Sequence, residues 1–117
     1  MIIAIDVRRV ADFGVGTYIR NLVRTLFQKE HSTRYLLIGG PAHVEQLGPR
    51  PPNFEPLHYP YSDESVHTHF HLHFLLRERE VNVLHVPHLR VPWLVPCRYV
   101  VTAVSYTHLR AHETGRN

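Results

Sequence analysis

The 117 residues predict an α/β fold of three layers, with helices on both faces of a mostly parallel sheet. Short apolar runs alternate with segments of helical period, the pattern of βαβ units. The first run, Ile2-Ile3-Ala4-Ile5, is apolar throughout rather than alternating, as a strand covered on both faces requires. A turn with two glycines, Phe13-Gly14-Val15-Gly16-Thr17, then leads into an amphipathic helix at the edge where open α/β sheets bind ligands.

Asp6 ends the first strand. From Thr17 onward Ile19, Leu22, Val23, Leu26 and Phe27 fall on one helical stripe that packs on the sheet. The two glycines between strand and helix can take positive φ and turn backbone N–H groups toward an anion, and a purely structural tight turn is the equal alternative. The third glycine of a dinucleotide fingerprint is missing, as is the GKS or GKT of a triphosphate loop. Tyr35 to Ile38 forms a second strand closed by Gly39-Gly40-Pro41. Pro49, Pro51, Pro52 and Pro56 deny a long helix to the stretch from Pro41 to Pro60, which is loop around a short strand near Phe54 to Tyr59. Ser62 with Asp63 and Glu64 has the character of an N-cap and acidic first turn, predicting a helix to about Glu80. Val81 to Val86 is a third strand and Arg98 to Val104 a further one.

A mass of 13.7 kDa with 44% hydrophobic residues suits one core. The net charge of +3 comes from 13 basic residues scattered among 10 acidic ones, and no basic run exceeds Arg8-Arg9, so a nucleic-acid footprint is not present. Cys97 is the sole cysteine, which excludes an internal disulfide and leaves a small buried apolar residue as its reading. The opening apolar run stops at Asp6, and no later run approaches the roughly 18 residues of a membrane span, so cytoplasmic placement is the default. Arg8, Arg9, Arg20 and Arg24 read as a solvated face, with contact to anionic lipid as the alternative.

Eleven histidines include His67, His69, His71 and His73 in VHTHFHLHF. On a strand all four share a face; on a helix they form two i, i+4 pairs pointing in different directions. The cap signal and the following LLRERE favour helix, and no metal site is assigned, since zinc needs a third ligand and support behind it. His85 belongs inside the third strand as a satisfied core residue. Pro87 holds Val86 extended and leaves His88 in a loop at the cleft mouth.

IDVRRVADFGVGTYIRNLVRTL resembles the opening of bacterial family-4 glycosyltransferases of the two-Rossmann-domain, GT-B type. VNVLHVPHLRVPWLVPCRYVVT, residues 81 to 102, resembles that family's later strand, its His-x-Pro-His loop and the next strand. The two blocks cover 44 of the 117 residues in the right order, which is more specific than either motif alone. The resemblance implies that residues 1–104 are part of an N-terminal Rossmann-like domain on the acceptor side of the enzyme. It implies transfer of a sugar, with retention of configuration, from a nucleotide diphosphate-sugar to a glycan or lipid-linked acceptor. Gly14, Gly16, Thr17 and His88 become substrate-binding candidates, the turn amides facing a phosphate and His88 facing acceptor or phosphate. A histidine bonded to nearby backbone is the equal alternative for His88. No cofactor and no structural metal are implied, and a lipid-linked acceptor leaves peripheral contact with the inner face of the membrane open.

The resemblance breaks after Thr102. The family continues with a segment like Val-His-Asp-Leu, whereas Ala103-Val104-Ser105-Tyr106 stands here, so no catalytic residue is assigned. SYTHLRAHETGRN, residues 105–117, resembles a translated sequencing-adapter segment and is expected to be a non-native tail on a truncated, inactive fragment. Two other readings stand beside this one: another Rossmann-like enzyme of epimerase or dehydrogenase type, and a stand-alone binding module with a histidine-rich surface.

Overall fold

The computed structural model describes residues 1–29, 32–62, 65–87 and 97–101. Its elements run β1 (Ile2–Asp6), α1 (Val15–Lys29), β2 (Arg34–Gly39), α2 (Pro41–Glu45), β3 (Phe54–His58), α3 (Val66–Phe70), α4 (Leu72–Glu78), β4 (Val83–Val86) and β5 (Arg98–Val101). The strands make one sheet in the order β3-β2-β1-β4-β5, and every neighbouring pair is parallel. This is the small α/β, Rossmann-like arrangement that the alternating pattern predicts. The uniformly apolar first strand is the central one, with Ile5 opposite Leu37 on one side and His85 on the other.

Strand alternation sends the two sets of side chains into two cores. On one face Ile5, Tyr35, Leu37 and Phe54 pack under Ile19, Val23 and Phe27 of α1. The Tyr35 and Phe54 rings stack at 4.4 Å across the strand pair, and Phe27 meets Phe54 edge-on at 4.7 Å. On the other face Ala4, Leu36, Ile38, Leu57, Leu84 and Val86 pack against Leu72 and Leu76 of α4. Asn82 clips the start of β1 to β4, its side-chain oxygen accepting the Ile2 N–H at 2.7 Å while its own N–H donates to the Ile2 carbonyl at 2.8 Å.

Several boundaries differ from the sequence expectation. The first helix begins at Val15 rather than Thr17. A short helix, α2, occupies the head of the proline-rich stretch, because Pro41 suits a first helical position and the Gly40 N–H donates to His43 Nδ1 at 2.9 Å. The single helix expected from Ser62 to Glu80 is two short ones, broken at His71. VHTHFHLHF has weak helix formers at most positions, so tertiary contacts decide where it bends. Both pieces keep Thr68, Leu72 and Leu76 inward. The third predicted strand starts at Val83 rather than Val81. The extension of β5 toward Val104 and residues 105–117 lie outside the described residues.

The turn between β1 and α1 uses its glycines for different purposes. Gly14 takes a positive φ of 81°, but Gly16 does not. Gly16 is needed for close approach: a Cβ there would lie 2.3 Å from the Val10 carbonyl oxygen and 2.9 Å from the carbonyl carbon. Gly16→Ala therefore forces the helix start away from the loop and is expected to cost about 1–3 kcal/mol. Gly40→Ala, whose Cβ would meet nothing nearer than 3.7 Å, should cost less than about 1 kcal/mol. Urea unfolding of the two variants checks this, and equal losses would show that the Gly16 backbone has room to move.

Candidate functional site

Connections leave β1 in opposite directions, to β2 on one side and, after β3, to β4 on the other. Beyond the carboxyl ends of β1 and β4 this opens the crevice in which such sheets bind ligands. The loop from Val7 to Gly14 forms its rim.

Gly14, Gly16 and Thr17 do come together at the opening of α1. The loop is knitted internally: the Val15 N–H donates to the Phe13 carbonyl at 2.9 Å, the Gly16 N–H to Asp12 at 2.8 Å and the Tyr18 N–H to Gly14 at 3.1 Å. Arg20 reaches back from α1, its guanidinium donating to the Val10 carbonyl at 2.7 Å and to the Thr17 hydroxyl at 3.2 Å. A cation therefore stands beside the helix N-terminus, and the Val15 and Gly16 amides already have backbone acceptors. His88 lies outside the described residues.

His85 faces α1 from β4, with its ring 6.5 Å from that of Tyr18. The imidazole is half-buried, and that burial holds its pKa below the usual histidine value. At neutral pH it is an uncharged hydrogen-bonding group at the crevice. Cys97 packs on the opposite core, where burial pushes its thiol pKa up despite an opposing backbone hydrogen bond with Leu84.

The charged centre of this edge is a pair to which the sequence assigned no such role. Arg8 was expected on a solvated or lipid-facing surface, but its side chain is only 4% exposed. Its Nη2 donates to Asp6 Oδ2 at 2.7 Å and its Nε to Asp6 Oδ1 at 3.0 Å, a two-pronged ion pair at the end of the central strand. The Arg8 Nη1 donates to the Tyr61 carbonyl and to the Thr68 hydroxyl, each at 2.9 Å. Thr68 in turn donates to the Ser62 carbonyl at 2.6 Å. Arg8 thus fastens Tyr61 and Thr68 over the end of β1, with its guanidinium 5.5 Å from the Tyr59 ring centre. The buried Tyr59 hydroxyl makes no hydrogen bond of good geometry among the described residues. Its pKa is raised by burial, with Thr68 and Arg8 acting in the opposite direction. The available signal was spacing: residues 6 and 8 of an extended chain project to the same side, where opposite charges can meet.

Above this pair lies a recess of about 420 Å³ lined by Arg8, Arg9, Asp12, His43, Tyr61 and Ser62. A larger hollow, about 700 Å³, sits by the outer strand β3 among Pro41, Pro49, Arg50, Pro56 and His58, away from the crevice. The recess lies beyond the carboxyl ends of β1, β2 and β3, and polar convergence rather than size favours it. The histidine-rich segment is helical, and among the described residues no three His, Cys, Asp or Glu side chains gather to hold a metal. No helix of the described residues is long and apolar enough to cross a membrane. No family model matches the chain, and comparisons with curated proteins and with solved structures give no match either.

Two outcomes test this geometry. Asp6→Ala leaves the Arg8 charge buried without its partner and should cost about 3–5 kcal/mol, whereas Asp6→Leu with Arg8→Met should recover most of that loss. Equal destabilisation by single and double changes would mean that the hydrogen bonds to Tyr61 and Thr68 matter more than the pair. Because His85 has a depressed folded pKa, the unfolded chain binds its proton first. Its contribution to stability is therefore present above the usual value near 6.5 and falls as pH drops below it. Unfolding measured between pH 8 and 5 should show a smaller acid loss in His85→Phe than in the parent.

Proposed function

We propose that this chain is part of the acceptor-side domain of a retaining GT-B glycosyltransferase, an enzyme working with a nucleotide diphosphate-sugar and a glycan or lipid-linked acceptor, and that the part alone is inactive. One observation carries the reading: the block from Ile5 to Leu26 that resembles the family supplies the carboxyl end of the central strand, the rim of the crevice and most of the helix behind it. Gly14 provides the positive-φ turn, Gly16 the close packing of helix on loop, and Arg20 a cation next to Thr17. A negatively charged phosphate group of a substrate is favoured beside that helix start. The neutral His85, on the facing strand, suits hydrogen bonding to a hydroxyl rather than ion pairing. A lipid-linked acceptor would bring the domain to the inner, cytoplasmic face of the membrane. The dehydrogenase or epimerase reading is weaker, because β2 ends in Gly39-Gly40-Pro41 with no carboxylate for a ribose.

Amide chemical shifts of the isotope-labelled chain test the proposal. Titration with uridine and guanosine diphosphate-sugars and with a short polyprenyl phosphate should move the Gly14, Gly16 and Thr17 signals, and NAD should leave them in place. Shifts produced by NAD instead, or by none of these compounds, would overturn the assignment.

A further inference from the structure

We infer that the recess above Arg8 is a binding site for a neutral sugar ring. Its lining carries the recognition chemistry of a polyol without the charge excess of an anion site. Arg9 Nη1 pairs with Asp12 Oδ2 at 2.8 Å on the wall, and Arg8 is neutralised below by Asp6 at 2.7 Å. Both arginines thus have a carboxylate partner, and a phosphate entering here would meet Asp12 as well as Arg9. A sugar hydroxyl both donates and accepts, so one hydroxyl or two adjacent ones can bridge a guanidinium and a carboxylate together.

His43 adds a donor of fixed identity. Its Nδ1 accepts the Gly40 N–H at 2.9 Å, which assigns the proton of the neutral ring to Nε2. Tyr61 supplies the apolar surface that the C–H face of a pyranose needs. It is 40% exposed, yet its ring packs edge-on against buried Tyr59 at 5.3 Å and its carbonyl is held by Arg8. The platform is therefore braced from beneath. Ser62 offers a hydroxyl at the rim, and about 420 Å³ accommodates one sugar ring with its first-layer waters. As the place where the acceptor's sugar sits, this assignment rests on the glycosyltransferase reading; as a polyol site it does not.

The test uses the full chain with the methyl glycosides of glucose, galactose and mannose as probes, and inorganic phosphate as the charged control. At least one glycoside should move the His43 ring and Tyr61 signals with millimolar affinity, and phosphate should not. Asp12→Ala and Tyr61→Ala should each weaken that binding at least tenfold. Circular dichroism verifies folding, and because the Tyr61 carbonyl that Arg8 holds is retained in Tyr61→Ala, this variant keeps that bond if Asp12→Ala disturbs the loop. A response to phosphate alone, no response to any glycoside, or undiminished glycoside binding in a folded Tyr61→Ala would overturn the sugar site. Glycoside shifts at His43 and Tyr61 without any nucleotide-sugar effect at Gly14 to Thr17 would leave the sugar site standing while removing support for sugar transfer.

Discussion

The buried pair of Asp6 and Arg8 is the constraint on which the rest of this edge depends. A parallel sheet delivers its functional groups at the carboxyl ends of strands, where the chain leaves regular hydrogen bonding and has little to fix it. Here the last residue of the central strand holds a guanidinium, and that guanidinium holds the Tyr61 carbonyl and Thr68. One ion pair therefore links β1, the entry to α3 and, through Tyr59, the core between sheet and α4. Such a pair need not add much net stability over apolar residues of the same shape. Its value is geometric, since a planar fork with several donors fixes the positions of everything it touches.

On the other face the constraint is steric. The Gly16 backbone lies against Val10 so closely that no side chain fits, and Arg20 seals the contact by donating to the same carbonyl. The rim of the crevice is thus braced by the chain's own contacts, and bracing of this kind lowers the entropy that a binding loop would lose. The loop amides at Val15 and Gly16 are occupied by this internal network. A phosphate near α1 would therefore draw on the field of the helix end and on Arg20 more than on those two donors. The neighbouring recess is different in kind, with its arginines paired to carboxylates and an aromatic wall, so the edge divides into a cationic part and a charge-balanced part.

The sheet, its central strand and the helix behind it were legible in the sequence, because each rests on local periodicity. Ile2 to Ile5 is apolar on both faces and so must be interior; Ile19, Val23 and Phe27 keep a helical stripe whatever they pack against. The glycine turn was legible as a turn, and Gly14 behaves as one. What only the tertiary structure decided is where long-range partners lie. Arg8 meets Thr68, 60 residues away, and turns from a surface charge into a buried clasp. Gly16 owes its identity to a carbonyl it touches rather than to its own φ. The break at His71 and the short α2 arise where helix propensity is weak and distant contacts or a single cap choose the ends. Periodicity is a property of neighbours in the chain, and so a sequence reports it directly. Charge pairing, close backbone approach and the joining of Asp12, His43 and Tyr61 around one recess are properties of neighbours in space, which the sheet's topology alone brings together.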